Sequence, residues 1–129
     1  MTFTMEHLAY AAHDTSALAA WYKRVLGFDI VYESEGEPKA FVVQDANGMA
    51  IEIVPPGDDG KTADASANHL AIWVDDFDAA KDQIESRGVE FEPEVSNEFF
   101  GGTRVAFFTD PEGHRIQIIW RRERLPAQG

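Results

Sequence analysis

The sequence predicts an α+β fold in which a single strand–helix–three-strand module, βαβββ, is used twice. The first observation is a repeat. His7-Leu8-Ala9-Tyr10 is echoed by His69-Leu70-Ala71-Ile72, and Gly27-Phe28 by Gly88-Val89. Asp45-Ala46-Asn47-Gly48-Met49-Ala50-Ile51-Glu52-Ile53 is echoed by Asp110-Pro111-Glu112-Gly113-His114-Arg115-Ile116-Gln117-Ile118, and all the offsets lie between 61 and 65 residues. A repeat of that length is one supersecondary unit used again. The second observation is that each copy passes through the same order of hydrophobic periods: short apolar run, helical spacing, then alternation.

In the first copy, Phe3 to Ala12 reads as a buried strand. Asp14, Thr15 and Ser16 supply N-cap chemistry for a helix over 14–26, whose apolar face is Leu18, Trp21, Tyr22, Val25 and Leu26. Gly27 stands where a helix C-terminus is expected. Phe28–Glu33 alternates as a strand, Ser34–Pro38 is a polar turn and Lys39–Asp45 a further strand. Asn47-Gly48 is a strong hairpin signal, and Met49–Val54 is the returning strand. Pro55–Asn68 has turn-forming residues and no apolar rhythm, and is read as the linker. In the second copy His69–Val74 is a strand, and Asp75 or Asp76 caps a helix over 76–87 carrying Phe77, Ala80 and Ile84. Val89–Glu92 is a strand, Glu94–Gly102 a loop and Thr103–Thr109 a strand; the Asp110-Pro111-Glu112-Gly113 turn then leads into a strand over His114–Trp120. The expected organisation is a single domain over 1–129, with modules at 3–54 and 69–120 and a tail at 121–129.

A chain of 129 residues with 44% apolar and 26% charged residues can bury one core. Its net charge of −12 argues against a nucleic-acid surface and against anionic membranes. With no cysteine, disulfides, thiolate nucleophiles and Cys-ligated zinc are excluded, so any metal would be held by nitrogen and oxygen. No signal-like start and no membrane-length apolar run is present, and cytoplasmic residence is the expectation.

Strand alternation decides which side chains share a face. Met5, His7, Ala9 and Ala11 point one way in the first strand, and Ala50, Glu52 and Val54 share a face opposite Ile51 and Ile53. The bulkier Ile face is expected against the helix, which leaves Glu52 on the open side. By the same rule His69, Ala71 and Trp73 go together, as do Arg115, Gln117 and Ile119. Two such modules facing each other would direct His7, Glu52, His69 and Gln117 towards one point. A buried acid within Ile51-Glu52-Ile53 requires a partner, so ligation or an ion pair is expected. His13 at the helix entry and His114 at the hairpin turn are expected to be solvated and structural.

The paired His-Leu-Ala openings, Trp21-Tyr22-Lys23-Arg24-Val25-Leu26-Gly27-Phe28 and Phe108-Thr109-Asp110-Pro111-Glu112-Gly113-His114-Arg115-Ile116-Gln117 resemble the vicinal oxygen chelate superfamily. That superfamily includes glyoxalase I, methylmalonyl-CoA epimerase, fosfomycin-resistance enzymes, extradiol dioxygenases and bleomycin-resistance proteins. The resemblance runs from His7 to Trp120 and implies a cup-shaped, glyoxalase-like sheet around one divalent metal (Zn, Ni, Co, Mn or Fe). It implies His7, Glu52, His69 and Gln117 as ligands; because the carboxylate of this set sits only in the first copy, Glu52 is the expected catalytic base. Metal-dependent glyoxalase-like relatives usually carry Glu where this chain has Gln117. Epimerase-like relatives have two His, one Gln and one Glu, with the amide in the first module rather than the second.

The expected activity is therefore a metal-dependent, glyoxalase-like or epimerase-like lyase or isomerase acting on a small oxygen-chelating molecule. A non-catalytic drug-sequestering protein of the bleomycin-resistance type and a non-haem iron dioxygenase are the alternatives. Trp73, Phe99, Phe100, Arg104 and Arg115 are the cavity-lining candidates, and Gly101-Gly102 beside the two Phe suggests a flap. Exposed sheet edges and the resemblance both point to a homodimer.

Overall fold

Eight strands and two helices make up the computed structural model, which describes residues 1–63, 68–93, 95–97 and 102–126, with the backbone alone for 95–97. Their order is β1 (His7–Ala11), α1 (Thr15–Leu26), β2 (Asp29–Glu33), β3 (Phe41–Gln44), β4 (Ala50–Val54), β5 (Leu70–Trp73), α2 (Phe77–Ser86), β6 (Val95–Asn97), β7 (Thr103–Thr109) and β8 (Arg115–Arg121). The chain is thus α+β, with the βαβββ succession run twice. Two units result: Met1–Ser66 together with Asp110–His114, and Ala67–Thr109 together with Arg115–Gly129. Among the described residues no helix is long and apolar enough to cross a membrane.

In the first unit, α1 begins where the Asp14 carboxylate accepts a hydrogen bond from the backbone N–H of Ala17 at 2.9 Å. It ends at Gly27, whose φ of 75° lets its N–H return to the carbonyls of Lys23 and Tyr22. Leu18, Ala19, Tyr22 and Val25 form its buried face. The sheet runs β1-β4-β3-β2, with β1 and β4 parallel and the other pairs antiparallel. Register places Val43 beside Ile51 and Phe41 beside Ile53, and all four are buried on the helix side. Glu52 lies beside Ala9 and Val42 on the opposite face. The bulky Ile residues therefore choose the helix, and His7 and Glu52 are left on the open side.

The second unit repeats the scheme with the order β5-β8-β7-β6. Asp76 caps α2 by accepting from the Ala79 N–H at 3.1 Å, and Phe77 and Ile84 are its buried residues. Ile116, Ile118, Ala106 and Phe108 are buried in register with Leu70 and Ile72 on one face. Ala71, Trp73, Gln117, Ile119, Val105 and Phe107 share the other.

One expected strand is displaced. Val89–Glu92 alternates like a strand but forms none; the second strand of this module is β6, within the segment expected to be a loop. The sheet takes Val95, Ser96 and Asn97 as partners of Val105, Arg104 and Thr103. The earlier segment is held by a backbone bond from the Glu92 N–H to the Phe107 carbonyl at 2.8 Å, by the pairing of Glu92 with Arg115, and by Phe91 packing edge-on against Phe108. Phe91 is half-buried there, and its contact with Phe108 occupies the apolar side of that alternation without a ladder.

Candidate functional site

His7 and Glu52 come together on the open face of the first unit. They stand on the parallel neighbours β1 and β4, and His7 Nε2 lies 3.5 Å from Glu52 Oε2. On its other side His7 Nδ1 lies 2.9 Å from Glu6 Oε1. Both side chains are partly open, at 37% and 39% exposure, so a ligand can reach them. Two states satisfy this geometry. A protonated His7 makes ion pairs with Glu6 and Glu52. A neutral His7 that donates Nδ1–H to Glu6 turns the Nε2 lone pair towards the Glu52 carboxylate, and two acceptors so arranged call for a cation between them. Donors about 2.1 Å from a tetrahedral ion lie about 3.4 Å apart, so the observed spacing needs little adjustment. A carboxylate behind the imidazole is also the common outer support of a metal-bound histidine.

In the second unit Gln117 is buried on β8 between Ala71 of β5 and Phe107 of β7. His69 immediately precedes β5 and is exposed, with its ring edge-on to Phe107 at 5.4 Å between centroids. Arg115 lies on the Gln117 face, its guanidinium 3.7 Å over the Phe107 ring and paired with Glu92 at 3.1 and 3.2 Å. Trp73 is on that face too, with Arg124 3.7 Å above its ring. Arg104 is on the other side. It pairs with Asp78 at 3.1 Å and stacks over Phe77 of α2, lining a surface depression with Asp75, Asp76 and Trp120 on the helix side of the sheet. Its odd position in β7 relative to Val105 and Phe107 dictates this. Phe99, Phe100 and Gly101 lie outside the described residues. Among the described residues no group of three or more His, Asp or Glu side chains gathers as a metal-holding cluster.

The sequence reading of His114 as a solvated turn residue is corrected: it is buried. Its Nδ1 lies 2.7 Å from Asp110 Oδ2, and its Nε2 lies 2.6 Å from the Thr62 carbonyl. Both ring nitrogens thus face acceptors, the condition that favours the imidazolium. Burial opposes its charge. The hydrogen bond and charge of Asp110, with the carbonyls of Thr62 and Ala11, outweigh burial and raise the pKa above the usual imidazole value. The Tyr22 hydroxyl donates to the same Asp110 oxygen at 2.7 Å, and Tyr10 stacks flat on the imidazole at 4.1 Å. Burial first, then the Asp110 charge, pushes Tyr10 up to about 12; the same causes, in that order, raise Tyr22 further. Both phenols therefore remain protonated. Glu112, in the same turn, accepts the backbone N–H groups of His13 and Asp14 at 2.9 and 3.0 Å.

Comparison with known proteins places these observations. A family model described as the Glyoxalase/Bleomycin resistance protein/Dioxygenase superfamily matches residues 4–118. The uncharacterized protein YaeR of Escherichia coli is 31% identical over 121 residues, which cover 88% of this chain and 93% of YaeR. A lactoylglutathione lyase of Haemophilus influenzae is 29% identical over 120 residues, covering 88% of this chain and 89% of the lyase. The crystal structure of the fosfomycin resistance protein FosX from Listeria monocytogenes, in complex with Mn(II) and sulfate, superposes with a TM-score of 0.73 at 22% identity. It covers 92% of this chain and 90% of that one, and shares the fold.

Proposed function

This chain belongs to the glyoxalase/bleomycin resistance protein/dioxygenase superfamily, and on that premise we propose that it is a divalent-metal-dependent lyase or isomerase of the glyoxalase or epimerase kind, acting on a small oxygen-chelating molecule. The carrying observation is the His7–Glu52 pair at 3.5 Å, backed by Glu6. The lyase name of the Haemophilus relative and the Mn(II) in the FosX crystal support the same direction.

The residues that would hold the ion are His7, Glu52, His69 and Gln117. When bound, it supplies Lewis-acid polarisation of a substrate carbonyl. Glu6 fixes the imidazole of His7, and with it the tautomer that points Nε2 at the ligand side. Glu52 is the group that takes a proton from the carbon beside the carbonyl and returns it, because its carboxylate is partly exposed on the open face. Gln117 binds oxygen through a neutral amide and leaves proton transfer to Glu52. We further assign a homodimer, since β1 and β2 are edge strands whose Leu8, Ile30, Val31 and Tyr32 are exposed at 38–55%.

Metal analysis of protein purified without chelator tests this reading, followed by turnover screening with the metal retained. His7→Ala and His69→Ala should each lose most of the bound metal while keeping wild-type circular dichroism. Full retention in both would overturn the ligand set. Small-molecule binding without turnover in the metal-loaded protein would favour a sequestering role instead. Mixing the two variants reads the assembly: recovery of metal in mixed dimers means that two copies complete one site.

A further inference from the structure

The face of the second unit's sheet that carries Gln117 is rich in arginine in an otherwise acidic protein. Four of the eleven Lys and Arg residues lie between 115 and 124. Arg115 and Arg121 alternate with Gln117 and Ile119 on β8 and so belong to the Gln117 face, and Arg124 comes back over Trp73 of that face. Arg122 goes elsewhere, against Gly102.

These guanidiniums are not equivalent. Arg115 is engaged by both oxygens of Glu92, and Arg104, behind the sheet, by Asp78. The Arg124 guanidinium carbon lies 3.7 Å over the Trp73 ring, and among the described residues no carboxylate pairs with it. Arg104 and Arg115 also lie over aromatic rings, but among the described residues each has a carboxylate partner and Arg124 has none. Stacking fixes the plane of the guanidinium and leaves its N–H edges directed outward, the geometry that receives two oxygens of one anionic group. Trp73 is paired with Ile119, two residues along from the Ala71–Gln117 pair. That is about 7 Å along the strand, the reach of a small molecule.

We propose that this face receives the anionic group of the substrate, a carboxylate or a phosph(on)ate, with Arg124 on Trp73 as the specificity-determining contact. The proposal rests on the reading of the His69–Gln117 face as the substrate side, and it narrows the substrate class to oxygen-chelating anions. A net charge of −12 repels anions generally, so a local cationic patch is what admits them.

Calorimetric titration of the full chain, stripped of metal with EDTA, with malonate and with its neutral isostere malonamide tests this. Malonate should bind at least about tenfold more tightly than malonamide. Arg124→Gln should weaken malonate about tenfold, and Arg122→Gln by less than about twofold. Equal affinity for the two probes, absence of malonate binding, or equal losses in both variants would overturn the proposal. Because the protein is stripped, the result is independent of metal ligation. Arg124-dependent malonate binding alongside full metal retention in the His7 and His69 variants would overturn the metal reading alone. Loss of metal in those variants without any malonate preference would overturn the anion proposal alone.

Discussion

The Asp45–Met49 and Asp110–His114 turns have one backbone and two fates. In each, the Asp N–H donates to the carbonyl four residues on at 2.9 Å, and the glycine N–H returns to the Asp carbonyl, at 3.2 Å in the first and 3.0 Å in the second. In each, Asp Oδ1 accepts two further N–H groups, from Asn47 and Met49 at 2.8 and 3.0 Å and from Glu112 and His114 at 2.9 and 3.0 Å. Gly48 and Gly113 even share φ, 92° and 91°. The fifth residue separates them. Met49 is exposed, whereas His114 is buried with Asp110 and Tyr22, against half-buried Tyr10 and Thr62. Duplication preserved the backbone lock, and one side chain turned a surface turn into a buried charged network.

The largest effect should come from breaking the second turn. Asp110→Asn leaves an imidazolium without its counter-charge, and about 3–5 kcal/mol of stability should disappear in urea unfolding. A loss below about 1 kcal/mol would show that the network carries little. Next is pH. A His114 pKa raised in the folded state means that its contribution is complete below about 6.5, the unfolded value, and is lost as pH rises through the folded value. The slope for one proton is at most about 1.4 kcal/mol per pH unit. His114→Met, which copies the first turn, should remove that slope between wild type and variant; parallel stability–pH curves would refute it. The smallest effect belongs to the first turn: Asp45→Ala loses only the turn's side-chain bonds and should cost about 1 kcal/mol. A cost equal to that of Asp110→Asn would erase the distinction between the turns.

Much of this architecture was legible because strand alternation is a local rule. Ile51 and Ile53, like Ile116 and Ile118, point to the helix side, and that alone fixes Glu52 and Gln117 on the opposite faces. The His7–Glu52 pair follows from two strands whose neighbourhood the repeat implied. His114 was illegible because its environment is built from afar: Thr62 is 52 residues away, and Tyr22 lies 88 residues from Asp110. The available hint was the His at the position of Met49, a polar change inside an otherwise preserved turn. Val89–Glu92 misled for the opposite reason, since its alternation is real but serves the packing of half-buried Phe91 on Phe108. The stacking of Arg124 on Trp73 joins a tail residue to a strand across 51 positions, and no local pattern announces it.

The bond from Tyr22 to Asp110 also sets a timetable. Synthesis runs from the N-terminus, so α1 emerges early, with a hydroxyl at its core whose acceptor is still 88 residues from being made. Until residues 110–114 arrive, that hydroxyl and the exposed N–H groups of His13 and Asp14 lack the partners they have in the finished fold, and for the buried hydroxyl a missing acceptor is costly. The half of the protein that is translated first therefore waits for a turn made near the end of the second half, and a nascent chain interrupted before residue 110 carries a first module without these partners.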